Sequence, residues 1–311
     1  MATVSQNQQH IIVTGSMGYI GSQLVLELKK NGISHTQVDM REVKSNGHVN
    51  SNLSDHEATT VLINDTKPSC IVHCGTHSAL AYRDNFFISC KQDFDALYAL
   101  IVALRDRGTC RVIYFSSNYV YSGLSSDSTV AEDALLLPRH NFGVGKMFFE
   151  QYLLRNHPES IIFRLSSVFG EGPSVHPNAI LSLAKEAIDT GIVTVWGRGS
   201  RMMQYVYLPD VIRAVVSAGQ LPPGIYNLGG DEYISVADAA GFIAKFFGAK
   251  LVFLKEKPEG EMLAYMHTGK LRSVHGEESF TPFMEALGEY LKKVRNRYAK
   301  VTSTAEKPKI A

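Results

Sequence analysis

Short apolar segments alternate with helical patterns over the first half of the chain. The run His10–Thr14 (HIIVT) ends at a glycine turn, and the apolar positions of Tyr19–Lys30 then recur at helical spacing until Asn31-Gly32. Further apolar runs follow at residues 36–38, 70–74 and 111–115. Because strands that are buried on both faces are apolar throughout, this alternation predicts an α/β fold with a parallel sheet covered by helices on both sides.

Two of the predicted helices, near residues 86–107 and 141–156, are apolar on more than one face. In the first of them, Phe94 and Ile101 lie on one stripe and Leu100 lies beside it. One stripe is enough to cover the sheet, so the second needs another apolar partner. We therefore expect a homodimer that forms through these two helices.

The pattern becomes looser after about residue 165. Turn-forming residues cluster at 170–173, 195–201 and 221–224. Helical segments are predicted near residues 177–190, 208–218, 235–247 and 282–298. We expect a smaller, loop-rich lobe that folds onto the sheet, and a polar tail at Thr302–Ala311 that is frayed.

The composition is that of an ordinary globular protein and carries almost no net charge. Of 311 residues, 45% are hydrophobic, and 31 Lys+Arg stand against 30 Asp+Glu, for a formal net charge of +1. Such a balance provides no basic field for nucleic acid and no polybasic anchor for a membrane surface. The longest apolar run, Ala96–Leu104, is too short to span a bilayer. We expect neither nucleic acid nor a membrane as a partner, and any phosphate must be held locally.

The cysteines indicate a reducing compartment. Four of them (Cys70, Cys74, Cys90 and Cys110) do not make a disulfide framework in a chain of this size. The first residues also lack a cationic and apolar leader pattern, so we expect a cytoplasmic protein. Cys70, His73, Cys74 and His77 have a spacing that resembles a metal site, but alternate side chains of a strand point to opposite faces. We expect buried thiols and no metal.

A glycine-rich turn between the first strand and the first helix is the strongest local motif. In Thr14–Gly21 (TGSMGYIG), Gly15 permits the tight turn, Gly18 lets the backbone approach a diphosphate, and Gly21 lets the helix pack on the strand. Asp39 follows 18 residues after Gly21, at the end of the second strand, where a carboxylate can accept both ribose hydroxyls. A purely structural turn is the alternative. Asp39 repels a 2′-phosphate although Arg41 lies close by, so we expect NAD rather than NADP.

The ordered motifs of the chain resemble one family. They are the glycine turn with Asp39, KPSCIVH at 67–73, FSSNYVY at 115–121, Gly143-x-x-Lys146, RLSSVFG at 164–170, GRGS at 197–200, YVYLPDV at 205–211 and YNLG at 226–229. In this order they resemble the extended short-chain dehydrogenase/reductase family, the NAD-dependent epimerase/dehydratase group that acts on nucleotide sugars. The resemblance covers residues 10 to about 295.

This resemblance implies a Rossmann-type doubly wound parallel sheet with a smaller C-terminal substrate lobe. We assign residues 1–165 to the NAD-binding domain, with 204–229 returning to it, and 166–203 and 230–311 to the substrate lobe. The residues assigned to the cofactor are Gly15, Met17, Gly18, Tyr19, Ile20, Gly21, Asp39, Met40, Arg41, Asn52, Leu53, Cys74, Gly75 and Lys146. Those assigned to the nucleotide-sugar substrate are Thr76, Ser117, Asn118, Tyr119, Ser167, Arg198 and Arg201.

The catalytic set implied by the resemblance lacks one hydroxyl group. In the family a Ser or Thr, a Tyr and a Lys act together, and the Tyr exchanges a proton with the sugar. Ser117 and Lys146 match, whereas Phe142 occupies the Tyr position. A phenyl ring cannot transfer a proton. Three explanations remain open: another group carries the proton (Tyr119, Tyr121, His140 or a water on Ser117), the protein is a non-catalytic nucleotide-binding subunit, or the chain is an engineered Tyr-to-Phe variant.

The residues that follow Ser117, and those in the second half of the chain, narrow the range of possible reactions and substrate contacts. Family 4,6-dehydratases follow the Ser or Thr with an acidic pair, but Asn118 and Tyr119 follow here, so we expect an epimerase or a 4-keto-sugar reductase. The family often places an Arg just before Tyr205 to bind the diphosphate. This chain has Met202-Met203-Gln204 at that place, so Arg198 or Arg201 is expected to take over. Surface arginines without a ligand are the alternative.

Overall fold

Strands and helices alternate through the part of the chain that the computed structural model describes, which is residues 10–43, 47–105, 110–173, 178–275 and 280–305. The strands are β1 (Ile11–Thr14), β2 (His35–Asp39), β3 (His48–Asn50), β4 (Cys70–His73), β5 (Arg111–Ser117), β6 (Thr129–Val130), β7 (Ile161–Leu165), β8 (Ser167–Phe169), β9 (Ile192–Trp196), β10 (Met202–Tyr207), β11 (Gly224–Leu228), β12 (Tyr233–Ser235), β13 (Lys250–Leu254) and β14 (Tyr265–Met266). The helices are α1 (Tyr19–Lys30), α2 (His56–Thr66), α3 (Ala79–Asp84), α4 (Phe86–Leu104), α5 (Asn141–Asn156), α6 (Ala179–Thr190), α7 (Leu208–Ser217), α8 (Val236–Phe247), α9 (Gly269–His275) and α10 (Phe283–Ala305).

Seven strands form one sheet in the order β11-β7-β5-β4-β1-β2-β3, and every neighbouring pair is parallel. In its centre, Thr14 of β1 lies opposite both His73 of β4 and Val38 of β2. The chain leaves β1 toward β2 and later returns to β4 on the other side, so the strand order reverses between β1 and β4. Open α/β sheets bind ligands at the carboxyl ends of the strands at such a point. The predicted doubly wound parallel sheet is confirmed.

Successive residues of the central strands pack on opposite faces of this sheet. Ile12 and Ile71 belong to a cluster with apolar side chains of α2, α4 and α5, whereas the next residues, Val13 and Val72, belong to a cluster with α1 and α7. Each fully buried aliphatic side chain of this size contributes about 1.5–3 kcal/mol relative to an exposed one. Burial on both faces explains why these strands are apolar without alternation.

A second core lies in the C-terminal part of the chain. β10 pairs with β8 in parallel and with β12 antiparallel, and β9 pairs with β13 in parallel. Helices α6, α8 and α10 bury apolar side chains such as Ala184, Ile243 and Leu287 against these strands. β11 returns to the seven-stranded sheet, while β10 belongs to the smaller one. The residue limits assigned to the two domains stay a prediction.

Two sequence-based expectations about the second half agree with the structure only in part. The expected frayed tail at Thr302–Ala311 begins within α10, which continues to Ala305, and the remaining residues lie outside the described part. Polarity alone does not end a helix. The loop expected at 195–201 begins with the last two residues of β9, and the turn itself starts at Gly197. Residues 106–107, expected to end the fourth helix, also lie outside the described part.

Candidate functional site

A cavity of about 420 Å³ opens at the carboxyl ends of β1, β2 and β4. Nine of the residues assigned to the cofactor line it, namely Gly15, Gly18, Asp39, Met40, Arg41, Asn52, Leu53, Cys74 and Gly75. Thr76, which was assigned to the substrate, lies in the same wall. The sequence analysis missed seven further lining residues, which are Val38, Ser51, Ser54, His77, Gln92, Asp93 and Ala96. His77 had been considered only as a metal ligand, and Asp93 lies within a helix where no motif points to it.

The glycine turn is shaped so that its backbone is exposed to this cavity. Gly15 has φ of 60°, in the left-handed region, and a Cβ there would lie 2.6 Å from the Cα of Gly75. A Cβ on Gly21 would lie 2.3 Å from the carbonyl oxygen of Gly15. Gly18 is the N-cap of α1, and no side chain caps this helix. The first N–H groups of α1 are therefore open to an anion, which the helix dipole also favours.

Asp39 is bound to neighbouring groups of its own chain. Its carboxylate accepts hydrogen bonds from the backbone N–H of Met17 (3.0 Å) and from the Nε of Arg41 (2.9 Å). Burial raises the pKa of Asp39, but the hydrogen bonds from Arg41 and Met17 outweigh burial, so the pKa lies below its ordinary value. The carboxylate is ionised at neutral pH, as binding two ribose hydroxyls requires.

Five residues assigned to the cofactor do not line the cavity, and four of them support its surroundings. Met17 donates to Asp39, and Gly21 lets α1 approach the turn. Ile20 packs against the sheet core. The hydroxyl of Tyr19 donates to the carbonyl oxygen of Gly170 at 3.0 Å, so this side chain links α1 to the second half of the chain.

Lys146 is buried beside the cavity rather than in its lining. The side chain is 2% exposed, and its Nζ donates to the Thr76 hydroxyl (3.2 Å), the Tyr114 hydroxyl (3.0 Å) and the Phe115 carbonyl oxygen (2.9 Å). Burial lowers the pKa of Lys146 to about 8. Since Thr76 lines the cavity, its hydroxyl connects the ammonium group to the cofactor wall.

The other residues of the catalytic set gather around the start of α5. The ring centre of Phe142 lies 5.3 Å from the Nζ of Lys146 and 6.0 Å from the ring centre of Tyr119. A Cβ on Gly143 would lie 2.4 Å from the carbonyl oxygen of Tyr119, so α5 packs directly on the turn that follows β5. Ser117 ends β5, and its Oγ accepts the N–H of Tyr119 at 3.3 Å. Asn118, next in the chain, is buried.

Of the groups considered as a substitute for the missing hydroxyl, Tyr121 is occupied elsewhere. Its hydroxyl lies 3.0 Å from the Oδ1 of Asn227 and accepts from Arg164 at 2.5 Å. The ring of His140, in contrast, packs edge-on against Tyr119, with centroids 5.1 Å apart. His140 also bonds to Glu261 at 2.5 Å, across to the C-terminal half. Of the groups considered, Tyr119 packs on the ring of Phe142, and His140 packs on Tyr119.

The two arginines expected to bind the diphosphate flank one turn in the C-terminal half. The carboxylate of Glu259 holds this turn by accepting the backbone N–H groups of Arg198 and Arg201, each at 2.7 Å. The side chain of Arg198 is exposed, whereas the Nε of Arg201 is buried and finds no hydrogen-bond partner among the described residues. Ser167 begins β8 and pairs with Tyr205. Neither arginine lines the cofactor cavity.

The cysteine and histidine cluster has the character of a packed strand end. Burial raises the pKa of Cys70 and of Cys74 to about 12, so both thiols are neutral. His73 is fully buried, and its Nδ1 lies 2.7 Å from the Thr14 hydroxyl. Within the described residues, no group of three or more His, Cys, Asp or Glu side chains is arranged to hold a metal ion. No helix in the described ranges is both long and apolar enough to cross a bilayer.

Comparisons with known proteins agree with this geometry. Residues 11–229 match the protein family described as the NAD dependent epimerase/dehydratase family. A dTDP-4-dehydro-6-deoxy-D-allose reductase of a Streptomyces species is 24% identical over 268 residues, which cover 76% of this chain and 81% of the relative.

Two solved structures have the same fold. The UDP-glucose 4-epimerase of Thermus thermophilus in complex with NAD superposes with a TM-score of 0.82 at 20% identity, covering 92% of this chain and 99% of the other. The UDP-glucose 4-epimerase of Thermotoga maritima with UDP-glucose has a TM-score of 0.83 at 20% identity, covering 93% and 100%.

Proposed function

The chain belongs to the NAD dependent epimerase/dehydratase family, and from this premise we propose that it is an NAD-dependent enzyme that modifies the sugar of a nucleotide sugar. The observation that carries the proposal is the link between the cofactor cavity and the catalytic set. Thr76 lines the cavity and accepts a hydrogen bond from Lys146, which in turn lies beside Phe142. A cofactor in the cavity would thus be next to the residues that act on the sugar.

The reaction class that these residues favour is epimerisation or 4-keto-sugar reduction. Asn118 and Tyr119 stand where a 4,6-dehydratase would need carboxylates. The relatives with a stated activity include reductases, 4-epimerases and 4,6-dehydratases, so the choice among these reactions rests on Asn118 and Tyr119. The cofactor that fits the ionised Asp39 is NAD, because a second negative charge on the ribose would be repelled.

Each residue then has a distinct task in the proposed reaction. Bound NAD would supply the hydride acceptor and donor. The glycine turn holds the diphosphate through the open N–H groups of α1, and Asp39 exchanges its bond with Arg41 for the ribose hydroxyls. Lys146 positions the second ribose by releasing one of its three hydrogen bonds. Ser117 orients the reacting oxygen of the sugar, and Tyr119 or His140 moves the proton that Phe142 cannot.

Arg201 is our choice for the substrate diphosphate. Its buried Nε has no partner in the described part of the chain, and a buried guanidinium N–H without a partner is costly. A phosphate oxygen would satisfy it. Arg198 is exposed, which suits a secondary contact, and Ser167 would donate to the nucleotide.

A second candidate function is a non-catalytic subunit that binds NAD and a nucleotide sugar. Two observations favour it. Phe142 offers no proton, and all three donors of Lys146 are already used within the protein. An engineered Tyr-to-Phe variant would have the same geometry, since only one oxygen is removed.

The proposed function is tested by incubating the chain with UDP-, dTDP- and GDP-sugars, adding NAD to the sugars without a 4-keto group and NADH to those that carry one. We expect slow conversion of at least one of these sugars. Mass spectrometry detects the product, and absorbance detects a change in reduced nicotinamide. Ser117→Ala should lower that rate further, because it removes the hydroxyl that orients the reacting oxygen. Binding of a nucleotide sugar without any conversion would support the non-catalytic subunit. No binding of any of them would contradict the nucleotide-sugar assignment.

We further propose that the protein is a cytoplasmic homodimer formed through α4 and α5. Aromatic side chains of both helices are exposed, including Phe87 (71% exposed), Phe148 (46%) and Tyr98 (38%). The rings of Phe94 and Phe148, on neighbouring helices, lie 5.1 Å apart, so the apolar surface is continuous. A second copy would bury the same surface on both chains.

Phe148→Glu is expected to convert this dimer into a monomer. The substitution places an unpaired charge in the proposed interface, where burying it costs far more than the contact provides. Sedimentation velocity at micromolar concentration should show a dimer for the unchanged protein and a monomer for the variant. Leu26→Glu, on the exposed side of α1, is the matched control and should remain dimeric. A monomeric unchanged protein would contradict the proposal.

A further inference from the structure

The cofactor cavity has an unused positive group. Of the lining side chains, Asp39, Arg41, His77 and Asp93 can be charged near neutral pH. The guanidinium of Arg41 is bound to the carboxylate of Asp39, and Asp93 is 3% exposed and hydrogen-bonded within the protein. His77 is a second cationic group of the lining, and it can offer a positive charge to a ligand while its own ion pair with Asp93 stays intact.

Asp93 fixes His77 in one orientation. The Nδ1 of His77 lies 2.6 Å from the Oδ1 of Asp93, and the backbone N–H of His77 donates to the same oxygen at 3.0 Å. The hydroxyl of Tyr82, a fully buried residue, donates to the Oδ2 of Asp93 at 2.9 Å and holds the carboxylate in place. Because Nδ1 is bound to Asp93, Nε2 is the ring nitrogen that a ligand can reach. His77 is about one third exposed, with 35% of its side chain accessible.

The position of His77 relates it to the expected diphosphate. It follows Gly75 by two residues, and a Cβ on Gly75 would lie 3.3 Å from the backbone nitrogen of Gly15. Two residues span at most about 7 Å. His77 lines the same cavity as Gly15 and Gly18, among the residues that follow β4, and Gly18 is the N-cap of α1. A diphosphate that binds the N–H groups of α1 would therefore lie in the cavity that the imidazole also lines.

We propose that His77, oriented by Asp93, donates a hydrogen bond from Nε2 to a phosphate of the bound dinucleotide, and that protonation of His77 strengthens cofactor binding. The inference rests on the proposed NAD site and adds a residue and a pH dependence to it. Neutral imidazole held through Nδ1–H presents an acceptor at Nε2, which a phosphate oxygen repels, whereas imidazolium presents a donor. Asp93 thus makes the contact sensitive to pH.

The direction of the pH dependence follows from the surroundings of His77. The hydrogen bond with Asp93 raises the pKa of His77 and outweighs burial, which lowers it. Affinity should therefore be highest at or below about pH 6, below the ordinary pKa of histidine, and fall as the pH rises through this elevated pKa. The ionisable groups of the surrounding elements that line the cavity or act on Asp93 are Asp93 itself and Cys90 of α4, Tyr82 of α3, Tyr114 of β5, Lys146 of α5, His73 of β4, Cys74, and Asp39 with Arg41 across the cavity.

The test is calorimetric titration of the full chain with ADP-ribose and with adenosine between pH 6 and pH 9. For ADP-ribose we expect the Kd to rise about three- to tenfold over this range. This is the effect of losing one charge-assisted hydrogen bond at a site that is partly exposed to water. For adenosine, which carries no phosphate, we expect no change. His77→Gln should show the weaker, pH-independent affinity for ADP-ribose. Asp93→Asn should move the transition to lower pH, provided that its circular dichroism spectrum matches that of the unchanged chain.

His56→Gln is the matched control, because His56 lies at the start of α2, packs on Tyr98 and is absent from the cavity lining. It should keep the full pH dependence. Equal Kd values for ADP-ribose at both ends of the range, or an unchanged slope in His77→Gln, would overturn the inference. If the slope is found but no nucleotide sugar is converted, the proposed function fails and this inference stands. If a nucleotide sugar is converted but ADP-ribose binding does not depend on pH, the proposed function stands and this inference fails.

Discussion

Phe142→Tyr is expected to raise the rate of nucleotide-sugar conversion by about a hundred- to ten-thousand-fold, the usual contribution of a positioned general acid or base. The ring already lies 5.3 Å from the Nζ of Lys146, so the variant would place a phenol beside a buried ammonium group. A neighbouring positive charge lowers the pKa of a phenol and makes its proton available near neutral pH. The measurement is kcat with the nucleotide sugar that the unchanged chain binds best.

Two variants separate this effect from a general gain in stability or binding. Phe148→Tyr adds a hydroxyl on the exposed side of the same helix and should leave kcat unchanged. Combining Phe142→Tyr with Lys146→Met should abolish the gain, because the phenol then loses its cationic neighbour. Equal kcat values for the unchanged chain and for Phe142→Tyr would mean that another group already transfers the proton, and Tyr119→Phe and His140→Gln would then identify it.

The cofactor half of the site could be predicted because its requirements are local. The turn around Gly15 needs a left-handed glycine, and Gly21 must lack a side chain because it lies against the carbonyl oxygen of Gly15. Asp39 is recognised because it ends the strand next to that turn. Such short-range constraints are written in consecutive residues, so the motif and the parallel sheet follow from the sequence.

Contacts between distant parts of the chain could not be predicted in this way. Thr76 was assigned to the substrate, but the fold places its hydroxyl on Lys146, 70 positions later. Asp93 and His77 meet because α4 packs against the end of β4, and neither has a motif of its own. The hydrogen bonds from the Arg41 side chain to Asp39 likewise depend on the side-chain conformation of Arg41, which the sequence does not give. In the C-terminal half, short strands such as β9 and β10 are stabilised by neighbours far away in sequence, so their local pattern is weak.

Arg164 lies in an apolar strand, where an arginine suits a ligand or an ion pair, and the sequence alone does not decide between the two. The structure shows an ion pair. Arg164 is 1% exposed and Glu150 is fully buried, and the guanidinium NH2 lies 2.7 Å from the Oε2 of Glu150. Ser116 also donates to Glu150, and Arg164 donates to the carbonyl oxygen of Glu132 at 2.9 Å. The pair therefore ties α5, which carries Phe142 and Lys146, to β5 and β7.

Arg164→Met is expected to lower the free energy of unfolding by about 3–5 kcal/mol, because it leaves the carboxylate of Glu150 buried without its charged partner. Urea denaturation, followed by circular dichroism, measures this loss. The double variant Glu150→Leu with Arg164→Met should recover most of the loss, since removing both charges also removes the cost of burying them. A single variant that loses less than about 1 kcal/mol, the range of an exposed pair, would mean that water reaches Glu150.

The same series measured with ADP-ribose should show little change in Kd in the variants that remain folded, because neither residue lines the cofactor cavity. Stability and cofactor binding would then depend on separate parts of the same sheet.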